Sequence, residues 1–339
     1  MSKRTLSFRL ICCFISGVLF LLSGGCAAEQ RTQMQETQRE KLKEEQQETQ
    51  REEPRERRQE TQREELEEEQ QETQQEEQLD KTPEPKVTEV DWSAYFDGLN
   101  GAAVLYDPAA SQYMLYNPEL AQTRRSPCST FKIISSMIAL ENEILVPEES
   151  TRKWSGEVFW NENWNQDIAF QEAFRVSCVW YFREIIDVMG PEMVQEGLEL
   201  LKYGNCDISD WEGRLNTNNN NRALTGFWIE SSLAISPKEQ VEVMERIFGK
   251  DSVCSEGTRH VLKEAMLITE PERTAIPIYG KTGMGKMEGI MVDAWFTGFA
   301  ESEEGNVYFC VYLGRTDDGN GSSAAAKEIA VRIVEDYCK

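Results

Sequence analysis

Ser129-Thr130-Phe131-Lys132 opens a run, Phe131 to Leu145, in which Ile134, Met137, Ile138 and Leu145 recur at threes and fours. The spacing predicts a helix that carries the serine and the lysine in its first turn. Residues three apart at a helix N-terminus share a face, so Lys132 Nζ can reach Ser129 Oγ. The helix start also leaves backbone N–H groups without intrahelical partners, and these favour negative charge developing nearby. The tetrapeptide alone decides little, because Ser150-Thr151-Arg152-Lys153 has the same pattern and reads as a surface loop.

Outward from that helix, Ala102 to Tyr106 and Gln112 to Tyr116 read as a hairpin around Asp107-Pro108. Downstream, Ile276 to Lys281, Met291 to Ala300 and Val307 to Leu313 read as three successive strands, and Ser323 to Tyr337 as a last amphipathic helix. Between Trp154 and Arg273 several helical patterns are separated by Gly and Asn breaks. Strands at both ends with helices between them predict a mixed α/β fold. Its antiparallel sheet draws its edges from both termini and is flanked by terminal helices, with a helical subdomain inserted in the middle.

The first Ser-x-x-Lys differs from the second in its company. Ser177-Cys178-Val179 follows 48 residues later, then Tyr203-Gly204-Asn205, Phe227-Trp228 and Lys281-Thr282-Gly283. Lys-Thr-Gly occurs once, after a β-like run, where a strand edge would carry Lys281 beside a bound ligand. Each piece has a bland reading: Ser177 a helix cap, Tyr203-Gly204-Asn205 a turn, Trp228 core, Lys281 a surface charge. Those readings do not account for all the pieces in this order.

The ordered set resembles the penicillin-recognising serine enzymes, and within them the class D (oxacillinase-type) β-lactamases, whose marks are Ser-x-x-Lys, Ser-x-Val, Tyr-Gly-Asn and Lys-Thr-Gly. Phe227-Trp228-Ile229-Glu230, Ser232-Leu233-Ala234-Ile235-Ser236 and Ala294-Trp295-Phe296-Thr297-Gly298 match further, and the likeness runs from Trp92 to Tyr337. The class A enzymes and penicillin-binding proteins carry Ser-Asp-Asn as the middle motif. Val179 in place of that Asn points to class D.

The resemblance implies hydrolysis of the β-lactam ring of penicillin-type drugs through an acyl-enzyme on Ser129. An ordinary lysine is protonated near neutral pH and cannot accept the Ser129 proton unless its pKa falls by several units. Val179, with Trp228 and Phe131 as neighbours, would supply the apolar wall that disfavours the ammonium form. In the resembling family this lysine is carbamylated. On Lys132 the carbamate, made from carbon dioxide or bicarbonate and steadied by the Trp228 indole, would serve as base for both acylation and hydrolysis. No other cofactor and no metal is implied. Backbone N–H groups of Ser129 and Met284 would form the oxyanion hole, and Ser177 would pass a proton to the leaving nitrogen. Lys281 and Thr282, with Gly283 completing the motif, would hold the drug's carboxylate. The family usually adds an arginine just before the last helix. Ser322 to Ala326 holds none, and Arg315 is the nearest candidate.

The rest of the 339 residues are laid out unevenly, and so is their formal net charge of −24. Lys3, Arg4 and Arg9 precede the uncharged run Leu10 to Leu22, which ends in Ser23-Gly24-Gly25-Cys26. A basic start, an apolar core shorter than the ~20 residues of a spanning helix and small residues before a cleavage point predict a signal peptide over residues 1–25. A short uncut anchor is the alternative. The cysteine makes the segment resemble a bacterial lipoprotein signal, apart from Ser23 where that pattern usually has Leu. The resemblance implies a mature chain lipidated at Cys26 and anchored to the extracytoplasmic face of the cell membrane. Residues 26–86 follow as a tether. Gln-Glu-Thr-Gln recurs there at Gln35, Gln47, Gln59 and Gln71, and Ala27 to Lys86 holds no aromatic residue. Such a segment is disordered or partly helical. It is either a spacer reaching roughly 45 Å as flexible coil or a repeat expansion without a role.

Residues 87–339 form one catalytic domain with a net charge of −18, a poor match for nucleic acid, which needs clustered Lys and Arg. His260 is the sole histidine and no Gly-x-Ser-x-Gly exists, so a Ser-His triad is not supported. The six domain cysteines include no Cys-x-x-Cys pair, which argues against zinc. They permit either disulfides or free thiols. No obligate protein partner is implied. Three other functions share part of this pattern. One is a β-lactam-sensing receptor domain that stays acylated, a kind normally joined to several membrane helices and a signalling domain that this sequence does not read as containing. The others are a cell-wall transpeptidase or carboxypeptidase, and a non-catalytic protein on a stalk.

Overall fold

Strand alternation builds the sheet and sorts its two faces. The computed structural model describes residues 84–214, 221–268, 276–287, 289–315 and 321–339, all within the unit Glu84–Lys339. The leader, Cys26 and the tether as far as Pro83 lie outside the described residues. Strands β1 (Lys86–Glu89), β2 (Gly101–Asp107), β3 (Gln112–Tyr116), β4 (Ile278–Met287), β5 (Ile290–Ser302) and β6 (Gly305–Gly314) form one sheet in the order β1-β3-β2-β6-β5-β4. β2 and β3 are the expected hairpin, and β4, β5 and β6 form a meander. One pairing departs from the antiparallel expectation: β1 runs parallel to β3. Parallel neighbours need a crossover of a dozen residues or more. The chain between them supplies it with helix α1 (Ser93–Phe96) and β2.

In β6, Val307, Phe309, Val311 and Leu313 pack with Ile329, Ile333 and Val334 of the terminal helix. Tyr308, Cys310 and Tyr312 join the core on the opposite face. Both faces of the sheet are therefore covered, and β6 reads as a nearly unbroken apolar run for that reason. The helices are α2 (Pro118–Ala121), α3 (Phe131–Glu141), α4 (Phe170–Arg175), α5 (Val179–Leu200), α6 (Pro237–Phe248), α7 (Glu256–Met266) and α8 (Ser323–Tyr337). Among the described residues no helix is long and apolar enough to cross a membrane.

Helix α3 differs from the one-faced helix its spacing suggests. Every residue from Phe131 to Ala139 is buried, so it is a central helix covered on all sides. Its polar residues must then find partners inside: Ser136 Oγ donates to the Lys132 carbonyl at 2.5 Å. Helix α6 begins on a capping box, in which Ser236 Oγ accepts from the Glu239 N–H at 3.2 Å and Glu239 Oε2 accepts from the Ser236 N–H at 2.9 Å. Such a cap contributes about 1 kcal/mol and sets where the chain leaves the Ser232–Ser236 motif.

Candidate active site

Ser129 stands on a short 3-10 turn, Cys128–Thr130, that feeds directly into α3. Three outside contacts fix the turn. The Cys128 N–H donates to the Trp228 carbonyl at 2.9 Å, and Ser126 Oγ donates to the same carbonyl at 3.0 Å. Trp295 Nε1 donates to the Ser126 carbonyl at 2.9 Å. Cys128 adopts φ 51°, a left-handed backbone that a non-glycine residue holds only when its surroundings require it. Trp228 is thus tied to the serine turn through its backbone, and its ring stacks on Phe131 with centroids 5.9 Å apart.

Lys132 follows one helical turn later and is 1% exposed. Its Nζ lies 3.0 Å from Ser129 Oγ and 5.2 Å from the centroid of the Phe182 ring. Burial pulls its pKa down from 10.5 to about 8, because an ammonium loses its hydration there. A second buried amine, Lys281, hydrogen-bonds Ser177 and donates to the Thr282 carbonyl at 3.0 Å. Burial, and then the nearby charge of Lys132, holds its pKa well below the usual lysine range. Ser177 is also left-handed, at φ 55°. Ser129, Lys132, Ser177 and Lys281 therefore form one hydrogen-bonded or charge-coupled set, drawn from the serine turn, α3, the start of α5 and β4.

Strand β4 lies unusually close to the serine turn. A Cβ on Gly283 would sit 2.9 Å from the Pro127 carbonyl oxygen and 3.2 Å from the Thr130 nitrogen. A Cβ on Gly285 would sit 2.9 Å from Cys128 Sγ. Glycine at both positions lets the strand approach, so that Met284 and Ser129 line one cavity of about 360 Å³. Val179, Leu224, Ile229, Trp160 and Trp164 make its wall largely apolar, and Glu230 and Lys286 bring charge to it. Trp160 is 77% exposed and its ring centroid is 4.9 Å from that of Trp164.

A smaller cavity opens at the outer edge of β4, lined by Lys281 and Thr282 together with Arg175 and Lys327 among others. Arg315, the residue expected to help with a carboxylate, lines neither cavity. It is exposed at the end of β6, and its carbonyl accepts from Asn100 Nδ2 at 3.3 Å. The second Ser-x-x-Lys is outside the site: Ser150 Oγ donates to the Pro147 carbonyl, and Lys153 pairs with Asp167 at 2.6 Å. Tyr203-Gly204-Asn205 is a brace. Asn205 Nδ2 donates to the Ser232 carbonyl at 2.8 Å and Asn205 Oδ1 accepts from the Ala234 N–H at 2.9 Å. His260 is a surface residue of α7, 73% exposed, and Cys128, Cys178, Cys206, Cys254, Cys310 and Cys338 are all free thiols.

The residues alone did not single out Phe182, Arg183, Arg175 or Lys327, and gave Glu230 only as part of the Phe227-Trp228-Ile229-Glu230 match. Phe182 and Arg183 sit in the strongest apolar run of α5, where an aromatic reads as core. Arg183 is nonetheless 2% exposed, with its guanidinium 5.7 Å from the Trp228 ring centroid and 2.5 Å from Asp187. An arginine inside that run was the available signal, since buried charge requires partners.

This arrangement, a serine hydrogen-bonded to a buried lysine and faced by a glycine-lined strand edge, is that of the penicillin-recognising serine enzyme fold. Residues 101–335 match the family model of the penicillin binding protein transpeptidase domain, and the chain belongs to that family. Within it the relatives are class D enzymes and receptors. The probable β-lactamase YbxI of Bacillus subtilis is 30% identical over 74% of this chain and 86% of its own length. The regulatory protein BlaR1 of Bacillus licheniformis is 28% identical over 75% of this chain, which spans 40% of BlaR1. Among solved structures, the C-terminal domain of the Bacillus licheniformis BlaR penicillin-receptor superposes with a TM-score of 0.66, at 27% identity over 75% of this chain and 98% of that domain. The class D β-lactamase from Bacillus subtilis gives 0.61, at 28% identity over 73% of this chain and 95% of that one.

Proposed function

We propose that this chain hydrolyses β-lactams through an acyl-enzyme on Ser129. The observation that carries the reading is the buried Lys132 amine, 3.0 Å from Ser129 Oγ with its pKa near 8. Ser129 Oγ bonds to the lactam carbonyl carbon while its proton passes towards Lys132. The backbone N–H groups of Ser129 and Met284 receive the charge on the carbonyl oxygen, and this stabilisation grows only as the tetrahedral intermediate forms. Collapse breaks the C–N bond, and Ser177 is placed to deliver a proton to the departing nitrogen. Water then cleaves the ester and frees Ser129. Carbon dioxide bound to Lys132 would supply an anionic base at that position. The residues suit it: the amine is largely neutral above pH ~8 and lies 5.2 Å from the centroid of the Phe182 ring.

The test is turnover of a chromogenic cephalosporin by the purified protein, with and without bicarbonate. The expected outcome is repeated turnover that bicarbonate enhances. A single stoichiometric burst would replace this reading with the second one, a receptor that stays acylated. That alternative draws its support from the superposition on the BlaR domain.

The drug's carboxylate is received at the outer edge of β4 by Lys281 and Thr282, with Lys327 rather than Arg315 as the flanking cation. Lys327 shares that cavity and Arg315 does not. Losing one charge-assisted contact of this kind costs about tenfold in binding. Lys327→Ala is therefore expected to raise KM for a penicillin about tenfold with kcat nearly unchanged. A larger KM effect from Arg315→Ala would return the role to Arg315.

A further inference from the structure

We propose that Glu230 is a positioning residue that holds the oxyanion end of β4 against the serine turn, an inference that rests on the acyl-enzyme reading above. The β4–β5 ladder shifts register between Gly285 and Lys286. Such a bulge turns a backbone group out of the ladder and leaves it needing another partner. The Lys286 N–H finds one in Glu230 Oε1. The backbone of the same glutamate reaches the other half of the site: its N–H donates to Ser126 Oγ at 2.8 Å, and Ser126 Oγ donates to the Trp228 carbonyl at 3.0 Å. One residue thus joins the strand two positions beyond Met284 to the turn three positions before Ser129. These two segments carry the two expected oxyanion donors.

Three further features fit a positioning role better than simple packing. Glu230 holds a left-handed backbone at φ 50°, the kind of strain that persists where the surroundings fix a functional geometry. Gly285 leaves it room, since a Cβ there would stand 3.1 Å from Glu230 Oε1. Its second oxygen, Oε2, is buried without a hydrogen-bond partner among the described residues, an arrangement that an apolar residue of similar size would avoid. Burial, and then the charge of Asp293, raises the Glu230 pKa. The amide oxygen of a glutamine at this position could still accept the Lys286 N–H.

The experiment measures the rate at which a fluorescent penicillin acylates the full-length protein, and the rate at which the label is lost, at 10 °C alongside a thermal melt. Removing an oxyanion donor outright costs about 10²–10³-fold. Loosening one by Glu230→Ala is expected to slow both steps by roughly tenfold or more. Glu230→Gln, whose amide oxygen can still accept, is expected to stay within about threefold. Lys286→Pro removes the same N–H without touching Glu230 and is expected to reproduce the alanine effect, which keeps the test decisive if Glu230→Ala fails to fold. A merely structural residue would lower the melting temperature while both rates in the folded protein stayed unchanged, and that result would overturn the proposal. So would equal losses in the alanine and glutamine variants. If the unmodified protein takes no label that Ser129→Ala abolishes, the acyl-enzyme reading itself fails, and the two failures are thereby told apart.

Discussion

Replacing Lys132 with methionine is expected to stop β-lactam turnover and, at the same time, to make the protein harder to unfold. The loss follows from position: Lys132 is the group 3.0 Å from Ser129 Oγ, and removing a general base costs about 10²–10⁴-fold in each step it serves. The gain follows from linkage. The folded pKa of about 8 lies below the ordinary lysine value of 10.5. Between those two values the unfolded chain binds more protons than the folded one, so stability rises with pH through that window. At pH 7 both states hold the proton and the full cost of burying the ammonium is present, about 3 kcal/mol for a shift of this size. Methionine fills similar volume without a charge, and it also removes the repulsion on Lys281. A gain of about 2 kcal/mol corresponds to a melting point higher by roughly 4–8 °C in a domain of this length. Steady-state hydrolysis and a thermal melt in buffer freed of carbon dioxide measure both effects. A lower melting point in the variant would overturn the account. Lys153→Met is the control, since Lys153 is an exposed lysine of the second Ser-x-x-Lys and pairs with Asp167 at the surface.

The parts of this protein legible from residues alone are those in which one physical pattern acts locally. Val307 to Leu313 could be read as a strand from its apolar content, and Ser323 to Tyr337 as a helix from its period, because burial against the sheet imposes both. Strand β4 was legible only to Lys281. From Thr282 to Met287 it has two glycines and no apolar alternation. Pairing with β5 holds that stretch extended, a tertiary effect that local propensity does not carry. The site divides in the same way. Ser129 and Lys132 meet because they are one helical turn apart. Phe182 over Lys132, Glu230 on the Lys286 N–H, and Lys327 lining one cavity with Thr282 are brought together by folding across long separations. The overall charge misleads in a similar way. A domain of net charge −18 would repel an anionic drug, yet it gathers Lys281, Arg175 and Lys327 around the small cavity at the edge of β4.

Gly283 marks where a motif residue acquires a physical reason, and Gly283→Val is expected to reduce acylation of Ser129 by at least about 10²-fold in a protein that still folds. A Cβ at this position would meet the Pro127 carbonyl oxygen at 2.9 Å, Thr130 Cγ2 at 3.0 Å and the Thr130 nitrogen at 3.2 Å. Two of those atoms are backbone of the serine turn. That turn cannot readily yield, because the Cys128 N–H is fixed to the Trp228 carbonyl and the Ser126 carbonyl to Trp295 Nε1. Valine adds two further methyl groups in the same space, so β4 must retreat and carry the Met284 N–H away from the developing oxyanion. A displacement near 1 Å between reacting groups is enough for a loss of about 10²-fold. The fold should persist, because β5 and β6 remain buried on both faces. Gly257 supplies the comparison: it lies in α7 with nothing within 4 Å of an added Cβ. Gly257→Ala is expected to leave acylation unchanged and to stabilise the helix by about 0.5–1 kcal/mol. Labelling by a fluorescent penicillin at early times, with circular dichroism on the same samples, separates the outcomes. Acylation of folded Gly283→Val at the unmodified rate would show that close approach of β4 to the serine turn is not what the chemistry requires.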